Sequence, residues 1–277
     1  GANDVGGSHG GQGGEAASVD PDTYGSALAP VSMGSGGHGQ NGSGPGGGAI
    51  RLTVSGTTSL QGTGTLTARP SDENRTGAGG SIFLTTASLT GNGSITASGY
   101  NRIWGGGGGR VAVILTGSDS FGSVDMSAIA GVEPQNNNVG AGGTIYRERQ
   151  SDGTGGGTLT FDFENHAPTS DEVAHLPASI DPGDDLSGVS VVLTNGAVVQ
   201  LTRDLDIGGL TIGTNSVLDL GGRQLSVGQR PTIGGGVYKS GTYTAADFVA
   251  DGHDEVMDSG TGGLIVVPAA GSVLIVR

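Results

Sequence analysis

Acidic side chains concentrate in two stretches of this chain that have the composition of loops. The first, TSDEVAHLPASIDPGDD, spans residues 169–185, and the second, ADGHDEVMDSG, spans residues 250–260. Calcium takes roughly six to eight oxygen ligands from carboxylates and carbonyls in flexible loops. Both stretches are therefore candidate calcium sites, with the carboxylates Asp171, Glu172, Asp181, Asp184, Asp185, Asp251, Asp254, Glu255 and Asp258.

Neither acidic stretch matches an EF-hand loop or the nonapeptide of RTX repeats. A solvated acidic surface is the competing interpretation, and the sequence leaves both open. Calcium is the one candidate cofactor, and its candidate ligands are Asp181, Asp184, Asp185, Asp251, Asp254 and Asp258.

Asp204 and Asp206 form the best candidate pair for acid–base chemistry. They are two residues apart in RDLDIGG, so on a strand both face the same side. Glycoside hydrolases use paired carboxylates about 5–9.5 Å apart, but a solvent-facing strand has the same pattern. A polysaccharide lyase needs a base, often Lys or Arg. The only lysine, Lys239, falls in the turn GVYKSGTYT, a poor place for a buried base.

His9 and His38 lie in similar glycine-rich contexts, GGSHGGQGG and GGHGQNG. Two histidines in matching loops are a candidate transition-metal pair. The alternative is that they are exposed, or that they hydrogen-bond to the backbone and fix the loops. Sequons at Asn41, Asn74 and Asn92 permit N-glycosylation in a host that has the machinery, although chance also produces them in a chain so rich in Ser and Thr.

Glycine is the outlier of the composition, with 59 of 277 residues against a usual share of roughly 7%. One run, GGGGGRVAVIL, begins at Gly105. A phosphate-binding Walker loop needs GxxxxGK[ST] followed by a helix, whereas Arg110 and an apolar strand pattern follow here. Because similar runs precede four strands, we interpret them as bends between stacked strands, where positive φ favours glycine.

An internal repeat supports that interpretation. Each unit has a glycine run, a strand of alternating character, a small-residue turn and a second strand. The aligned positions Ile50, Ile82, Val111 and Ile145 are 32, 29 and 34 residues apart, a period typical of solenoids. β-Branched residues and Thr dominate, and no segment has helical periodicity of useful length.

These patterns predict an all-β fold, a single-stranded parallel β-helix (β-solenoid). In its first strand, Ile50, Leu52 and Val54 would point inward. An antiparallel sandwich or jelly roll is the alternative, which explains strands and turns but not the recurring unit.

The chain divides into three predicted zones. Residues 1–45 form a glycine-rich N-terminal loop or cap, residues 46–180 form the glycine-repeat coils, and residues 181–277 form C-terminal coils with a terminal capping strand. The third zone has shorter strand units, such as VSVVLTNGAVVQL. We expect four side chains to anchor the first zone to a neighbouring surface: Tyr24, Leu28, Val31 and Met33.

Composition excludes several classes of function. The net charge of −14 repels nucleic acid and anionic lipid. The absence of cysteine excludes disulfides, thiolate metal sites and cysteine nucleophiles. No apolar run approaches the ~18 residues that span a bilayer, so we expect no membrane insertion. No signal peptide is visible, and we interpret the chain, which begins with Gly1, as a processed or excised form.

Several segments resemble known exported proteins. GGSHGG, GGGAIRL, GAGGSIFL and GGGGGRVAV together resemble the glycine-rich β-helical passages of large bacterial surface and secreted proteins. LGGRQLSVG, GTYTAADF and SGTGGLIVV resemble the terminal repeat region of autotransporter-associated and similar exported β-helix proteins. The resemblance implies a β-helix fold and an extracellular or cell-surface location, and it implies no catalytic residue.

The most apolar stretch, LIVVPAAGSVLIVR, covers residues 264–277. Because a solenoid end exposes unpaired backbone groups, this stretch is either a closing strand of its own chain or a strand that pairs with a neighbouring subunit in head-to-tail fibres. We therefore expect a non-catalytic extracellular β-solenoid with a structural or adhesive role. A homopolymer and an extracellular polysaccharide are the candidate partners. The alternative is a protein that binds or cleaves a polysaccharide along a lateral groove.

Overall fold

The structure is a computed structural model that describes residues 6–14, 22–39, 42–71, 76–100, 105–132, 139–166, 168, 172–180 and 183–269. Within these residues the fold is all-β, with mostly parallel sheets. The strands of the first half are β1 (Gly37–Gly39), β2 (Gly42–Gly44), β3 (Ala49–Leu60), β4 (Thr65–Thr67), β5 (Ser81–Gly91), β6 (Ser94–Thr96), β7 (Arg110–Leu115), β8 (Asp125–Ser127) and β9 (Thr144–Glu148).

A 3-10 turn at Gln150–Asp152 leads into the second half. Its strands are β10 (Thr158–Asp162), β11 (Ala174–Leu176), β12 (Ser190–Thr194), β13 (Val198–Leu201), β14 (Leu205–Ile207), β15 (Gly209–Ile212), β16 (Val217–Asp219), β17 (Gln224–Val227), β18 (Thr232–Ile233), β19 (Gly236–Val237), β20 (Gly241–Tyr243), β21 (Val256–Met257) and β22 (Leu264–Val267). One short helix, α1 (Ala245–Ala250), begins at a capping box formed by Thr244 and Asp247.

A nine-stranded sheet runs through both halves in the order β19-β18-β15-β12-β10-β9-β7-β5-β3. In its first half the predicted repeat is confirmed residue by residue, because Ile50 pairs with Ile82, Ile82 with Val111, and Val111 with Ile145. All three strand pairs are parallel. The sequence period of 29 to 34 residues therefore returns the chain to the adjacent strand of one sheet.

Four smaller sheets accompany the large one, and the first of them is the antiparallel pair β1-β2. The first half contributes the order β4-β6-β8, and the second half contributes β11-β13-β16-β21 and β14-β17-β22-β20. In the second half the chain visits the large sheet and both four-stranded sheets in turn and returns after 19 residues, as Val191 pairs with Leu210. The predicted shorter units are confirmed, and their turns place Asn195 and Asn215 at positive φ.

The hydrophobic core occupies opposite faces of the nine-stranded sheet in the two halves. One cluster contains Ile82, Val111 and Ile145 and reaches Ile95 of the three-stranded sheet. The other, larger cluster contains Leu159 and the inward residues of the second half. Alternate residues of one strand point to opposite faces, so neighbouring positions such as 145 and 146 belong to different clusters.

The glycine runs lie against one another across successive repeats. Gly79 donates its N–H to the Gly107 carbonyl at 3.0 Å, and Gly10 and Gly11 of the N-terminal zone both donate to the Gly108 carbonyl at 2.9 and 3.0 Å. No glycine of residues 46–48, 77–80, 106–109 or 140–143 has a positive φ. The prediction that these glycines are needed for positive φ is therefore wrong. Close backbone approach is the reason at most of these positions: a Cβ at Gly108, for example, would collide with the Ala128 carbonyl of the next segment.

The N-terminal zone lies against both halves of the molecule. Gly11 forms a bridge to Ala174, and Tyr24 forms one to Ile180. Buried Arg110 donates from Nε to the Tyr24 carbonyl at 3.0 Å. The expected anchors are half right, because Tyr24 is partly buried and Leu28 packs against the larger cluster. Two of the four point to solvent instead: Val31 is 56% exposed and Met33 is 69% exposed.

The two ends of the large sheet differ. At one end, the outermost strands of the second half are short: β19 has two residues, β20 three and β21 two. The buried ring of Phe248 on α1 packs with Tyr238 and Tyr243 there. At the other end lies β3, with twelve residues. Leu52, which alternation places on the same face as Ile50 and Val54, is 36% exposed because it lies at this edge.

Candidate functional site

The groove beside β14 brings together two of the predicted acidic sets. Asp184 and Asp185 reach it from the loop that precedes β12, and Asp204 and Asp206 reach it from the segment of β14. Its volume is about 270 Å³. Its lining also includes Arg203, the polar side chains Ser187, Gln224 and Ser226, and the apolar Leu186 and Leu205. We call this concavity the acidic groove.

The alternation of β14 places its two carboxylates as the sequence predicts. Leu205 and Ile207 are buried, whereas Asp206 is half-buried and Asp204 is exposed. Both acids line the same groove, so their predicted common side is confirmed. Asp204 Oδ1 accepts the Gln224 N–H at 2.8 Å, and that bond ties the start of β14 to the next turn of the chain.

Asp184 and Asp185 are both hydrogen-bonded within the protein. Asp184 accepts from the Ser26 hydroxyl at 2.6 Å and from the Ala27 N–H at 2.7 Å, and so holds the N-terminal zone against the second half. Asp185 accepts the hydroxyl and the N–H of Ser187 at 2.7 and 3.0 Å. These two bonds lower the pKa of Asp185. Asp181 and Asp171 lie outside the described residues.

The carboxylates of the second acidic stretch lie in separate environments. Asp258 accepts N–H bonds from Gly222 at 2.6 Å and from Gly263 at 2.8 Å. Asp251 follows the last residue of α1, and Asp254 is exposed. Glu255 is buried, with Oε2 at 3.3 Å from His253 Nδ1. Within the part of the chain that the structure describes, no three His, Cys, Asp or Glu side chains are grouped to hold a metal.

His9 and His38 occupy different environments. His38 is exposed on β1. His9 is fully buried, and its Nδ1–H donates to the Gly79 carbonyl at 2.9 Å. Burial, followed by the charge of Arg110, lowers the pKa of His9 to about 3. His9 is therefore a neutral, buried ring that is hydrogen-bonded to the backbone, which agrees with the alternative that it fixes its loop.

An aromatic cluster at the short-stranded end was not singled out by sequence reasoning. Tyr238 packs edge-on against Tyr243 and Phe248, with ring centroids 5.4 and 4.8 Å away. A shallow concavity of about 440 Å³ beside it includes Lys239 and Asp251. Lys239 is exposed, as its turn position predicted. The available signal was the spacing of three aromatic residues, five apart, in a chain that has only eleven.

A third concavity, of about 390 Å³, follows the outer face of β6 and β8. Hydroxyl groups are stacked along it. Ser94 donates to Thr65 at 3.0 Å, and Ser98 and Ser127 are hydrogen-bonded at 3.1 Å. Arg69 and Glu164 stand at its sides. This face offers donors and acceptors in rows one strand apart.

Comparison of the chain with protein-family models, with curated proteins and with solved structures finds no match. Among the described residues, no helix has the length and apolarity to cross a membrane.

Asn92, the one sequon asparagine within the described residues, accepts the Gly62 N–H with its Oδ1 at 2.8 Å. Asn41 and Asn74 lie outside them.

Proposed function

We propose that this protein is a non-catalytic extracellular β-solenoid with a structural or adhesive role. In this proposal the parallel sheets are the faces of a β-helix, and each return of the chain to the large sheet completes one coil. The support is the register, in which Ile50, Ile82, Val111 and Ile145 follow one another across four strands. A stack of this kind is a rod whose length grows with the number of coils.

The side-by-side glycine runs favour a structural role over a catalytic one. Glycines there let backbone segments approach closely enough for N–H groups of one segment to meet carbonyls of the next, as Gly108 does with Ala141 at 2.9 Å. Such a layer has few side chains with which to do chemistry. It adds hydrogen bonds that each contribute about 0.5–1.5 kcal/mol.

An extracellular or cell-surface location is part of the proposal. A protein without cysteine gains no stability from disulfides and needs another source of rigidity outside the cell. Repeated backbone pairing supplies one, and an acidic surface of net charge −14 keeps such rods soluble. The likeness of the glycine-rich passages to those of bacterial surface proteins points the same way.

The single observation that carries the structural role is the contrast between the two ends of the large sheet. A twelve-residue edge strand lies at one end and strands of two or three residues at the other. Light scattering over a concentration series and negative-stain electron microscopy test the proposal. We expect particles that lengthen with concentration. A protein that stays monomeric and binds no cell-surface or matrix material would contradict it.

A second function, binding or cleavage of an extracellular polysaccharide, is favoured by the acidic groove. Four carboxylates, two from a loop and two from the segment of β14, converge there with the amide of Gln224 and the hydroxyl of Ser226. Such groups bind sugar hydroxyls, and a carboxylate pair serves acid–base chemistry. A polysaccharide screen that measures binding, reducing ends and unsaturated products tests this function. Separate Asp204→Asn and Asp206→Asn variants that leave any activity unchanged would remove the pair from consideration.

A further inference from the structure

The outer edge of β3 is built like an unfinished coil. It spans Ala49–Leu60 and pairs only with β5 among the described strands. Ile50 and Val54 are only partly buried where the matching Ile82 of β5 is completely buried. Leu66 of β4, the edge strand of the three-stranded sheet, is likewise only partly buried. The end of the smaller hydrophobic cluster is therefore open along two edge strands.

Edges of this length are normally protected by charge, proline or brevity. Arg51 is the single charged residue of β3, and its guanidinium lies 5.5 Å from the centre of the Phe83 ring. A register shift between Val54 and Thr57 is the only irregularity within the pairing of β3 with β5. The stretch Ala49–Val54 before it pairs without interruption and carries one charge, and is therefore a template for another strand.

We propose that this edge of one copy binds residues 272–276 of a second copy as an added strand. The inference rests on the proposed structural role and names the contact that would join successive rods. The segment reads SVLIV, contains no charge, and has apolar side chains for both faces of a strand. This apolar segment is therefore suited to an edge that borders an apolar cluster. The one charged side chain of that edge, Arg51, lies over the Phe83 ring.

The distance from the last turn of the chain to β3 is too long for residues 272–276 to bind β3 of the same copy. Strand β22 (Leu264–Val267) lies in the same last turn of the chain as β18. In the large sheet, β18 is seven inter-strand steps away from β3. At roughly 4.8 Å per step this separation is about 34 Å. Val276 is seven residues beyond Ala269 and so lies at most about 25 Å from it. The segment therefore cannot reach β3 of its own chain.

The other end of the chain is less suited to receive the segment. There β22 already has neighbours on both sides, β17 and β20. The outermost strands offer two or three residues each, and α1 packs beside β20 and β21. Among the described edge strands only β3 is at least five residues long, so the joint runs from the C-terminal part of one copy to the N-terminal edge of the next.

Engineered disulfides test the joint directly, because the chain has no cysteine of its own. A Leu52→Cys variant and an Ile275→Cys variant are mixed under mild oxidation. We expect a crosslinked dimer in the mixture and little in either variant alone. A crosslink in Leu52→Cys alone would show pairing of two β3 edges and would overturn the proposal. A Val249→Cys variant mixed with Ile275→Cys is the matched control at the other end, and preferential crosslinking there would also overturn it.

Association measured by light scattering separates this inference from the proposed function. Leu52→Lys places a charge at the exposed edge and is expected to weaken assembly at least about tenfold, whereas Val249→Lys, at a side chain 59% exposed on α1, leaves it unchanged. Val273→Asp with Ile275→Asp should weaken it equally. Normal assembly of both altered proteins would refute this joint while leaving the structural role standing. An unmodified protein that never assembles would refute the structural role itself.

Discussion

Tyr146 and Leu159 face each other across the antiparallel pair of β9 and β10, on the same side of the nine-stranded sheet. Both are buried in the larger hydrophobic cluster, whereas Ile145, the neighbour of Tyr146, belongs to the smaller one. This antiparallel pair is the point where the core passes from one face of the sheet to the other. The first-half strands β5 and β7 are buried on both faces, because the N-terminal zone covers the face opposite the smaller cluster, where Ser81 donates to the Ser32 carbonyl and Arg110 to the Tyr24 carbonyl.

Replacing Tyr146 by Phe is expected to destabilise the packing at the β9–β10 pair, where the two halves of the chain meet. Its hydroxyl donates to Glu148 Oε2 at 2.5 Å and accepts the Gly157 N–H at 3.2 Å. Removal leaves a buried carboxylate and a buried N–H without that partner, which costs about 1–3 kcal/mol. Urea unfolding measures the loss.

The matched control for that change is Tyr24→Phe. The Tyr24 hydroxyl donates to the Met33 carbonyl at 2.8 Å near the surface, so water replaces the lost bond. We expect a smaller loss, of about 0.5–1.5 kcal/mol or less. Equal losses in the two variants would contradict the role assigned to the buried network.

Gly108→Ala is expected to destabilise the protein strongly. The new Cβ would collide with the Ala128 carbonyl and the Gly143 N–H, both backbone groups that cannot rotate away. Forcing a methyl group into such a contact costs about 1–3 kcal/mol or more. Thermal or urea unfolding gives the difference in free energy.

Gly48 provides the comparison within another glycine run. A Cβ there meets no atom within 4 Å, and its φ is not positive. Gly48→Ala should therefore be neutral, or stabilising by about 0.4–1 kcal/mol through the unfolded chain. If Gly108→Ala were equally harmless, close backbone approach would not be the reason for glycine in these runs.

Buried His9 predicts that stability falls in acid. The pKa of its ring is lowered in the folded protein from 6.5 to about 3, so the unfolded chain binds the proton first. The contribution of His9 is complete above pH 6.5 and declines by about 1.4 kcal/mol per pH unit as the pH falls toward 3. Urea midpoints measured from pH 7 to 4 follow this decline.

His9→Asn keeps a side-chain N–H that can reach the Gly79 carbonyl but does not titrate. The variant is expected to have a flatter pH profile than the unmodified protein, whatever its stability at pH 7. Exposed His38 serves as control, and His38→Asn should leave the profile unchanged. An unaltered slope in His9→Asn would assign the acid sensitivity to other groups.

Asp184→Asn is expected to loosen the N-terminal zone. One acceptor oxygen becomes an NH₂ group, so either the Ser26 hydroxyl or the Ala27 N–H loses its acceptor. Hydrogen bonds to charged groups contribute about 1.5–3 kcal/mol, and faster amide exchange in residues 24–35 should report the loss. Asp185→Asn is the control, because its bonds stay within its own loop. Equal exchange in the two variants would contradict the anchoring role of Asp184.

The calcium prediction is tested with the same proteins. Binding at the acidic groove should raise the Tm of the unmodified protein relative to a sample with chelator, and Asp185→Asn should reduce that rise. Magnesium at equal concentration controls for ionic strength. An unchanged Tm in calcium would remove the groove as a calcium site.

Much of the fold could be predicted from periodicity alone. Ile50, Ile82, Val111 and Ile145 align in the sequence because each begins the same alternating strand after a glycine run, and they pair in that register. The common face of Asp204 and Asp206 also followed from alternation. Convergence of Asp204 with Asp184 did not, because it depends on how a loop and a strand 20 residues apart meet in space.

By itself the sequence determined the β character, the repeat and its register, because side-chain alternation and small-residue runs are local properties. Only the tertiary structure decided which face of the sheet each half buries. The chain reverses direction at the antiparallel pair of β9 and β10, where Tyr146 faces Leu159. Side-chain alternation in the sequence does not indicate whether two strands pair in parallel or antiparallel. The tertiary structure also decided why glycine fills the runs, because the atoms that exclude a side chain at Gly108 belong to Ala128 and Gly143, distant residues brought close by packing.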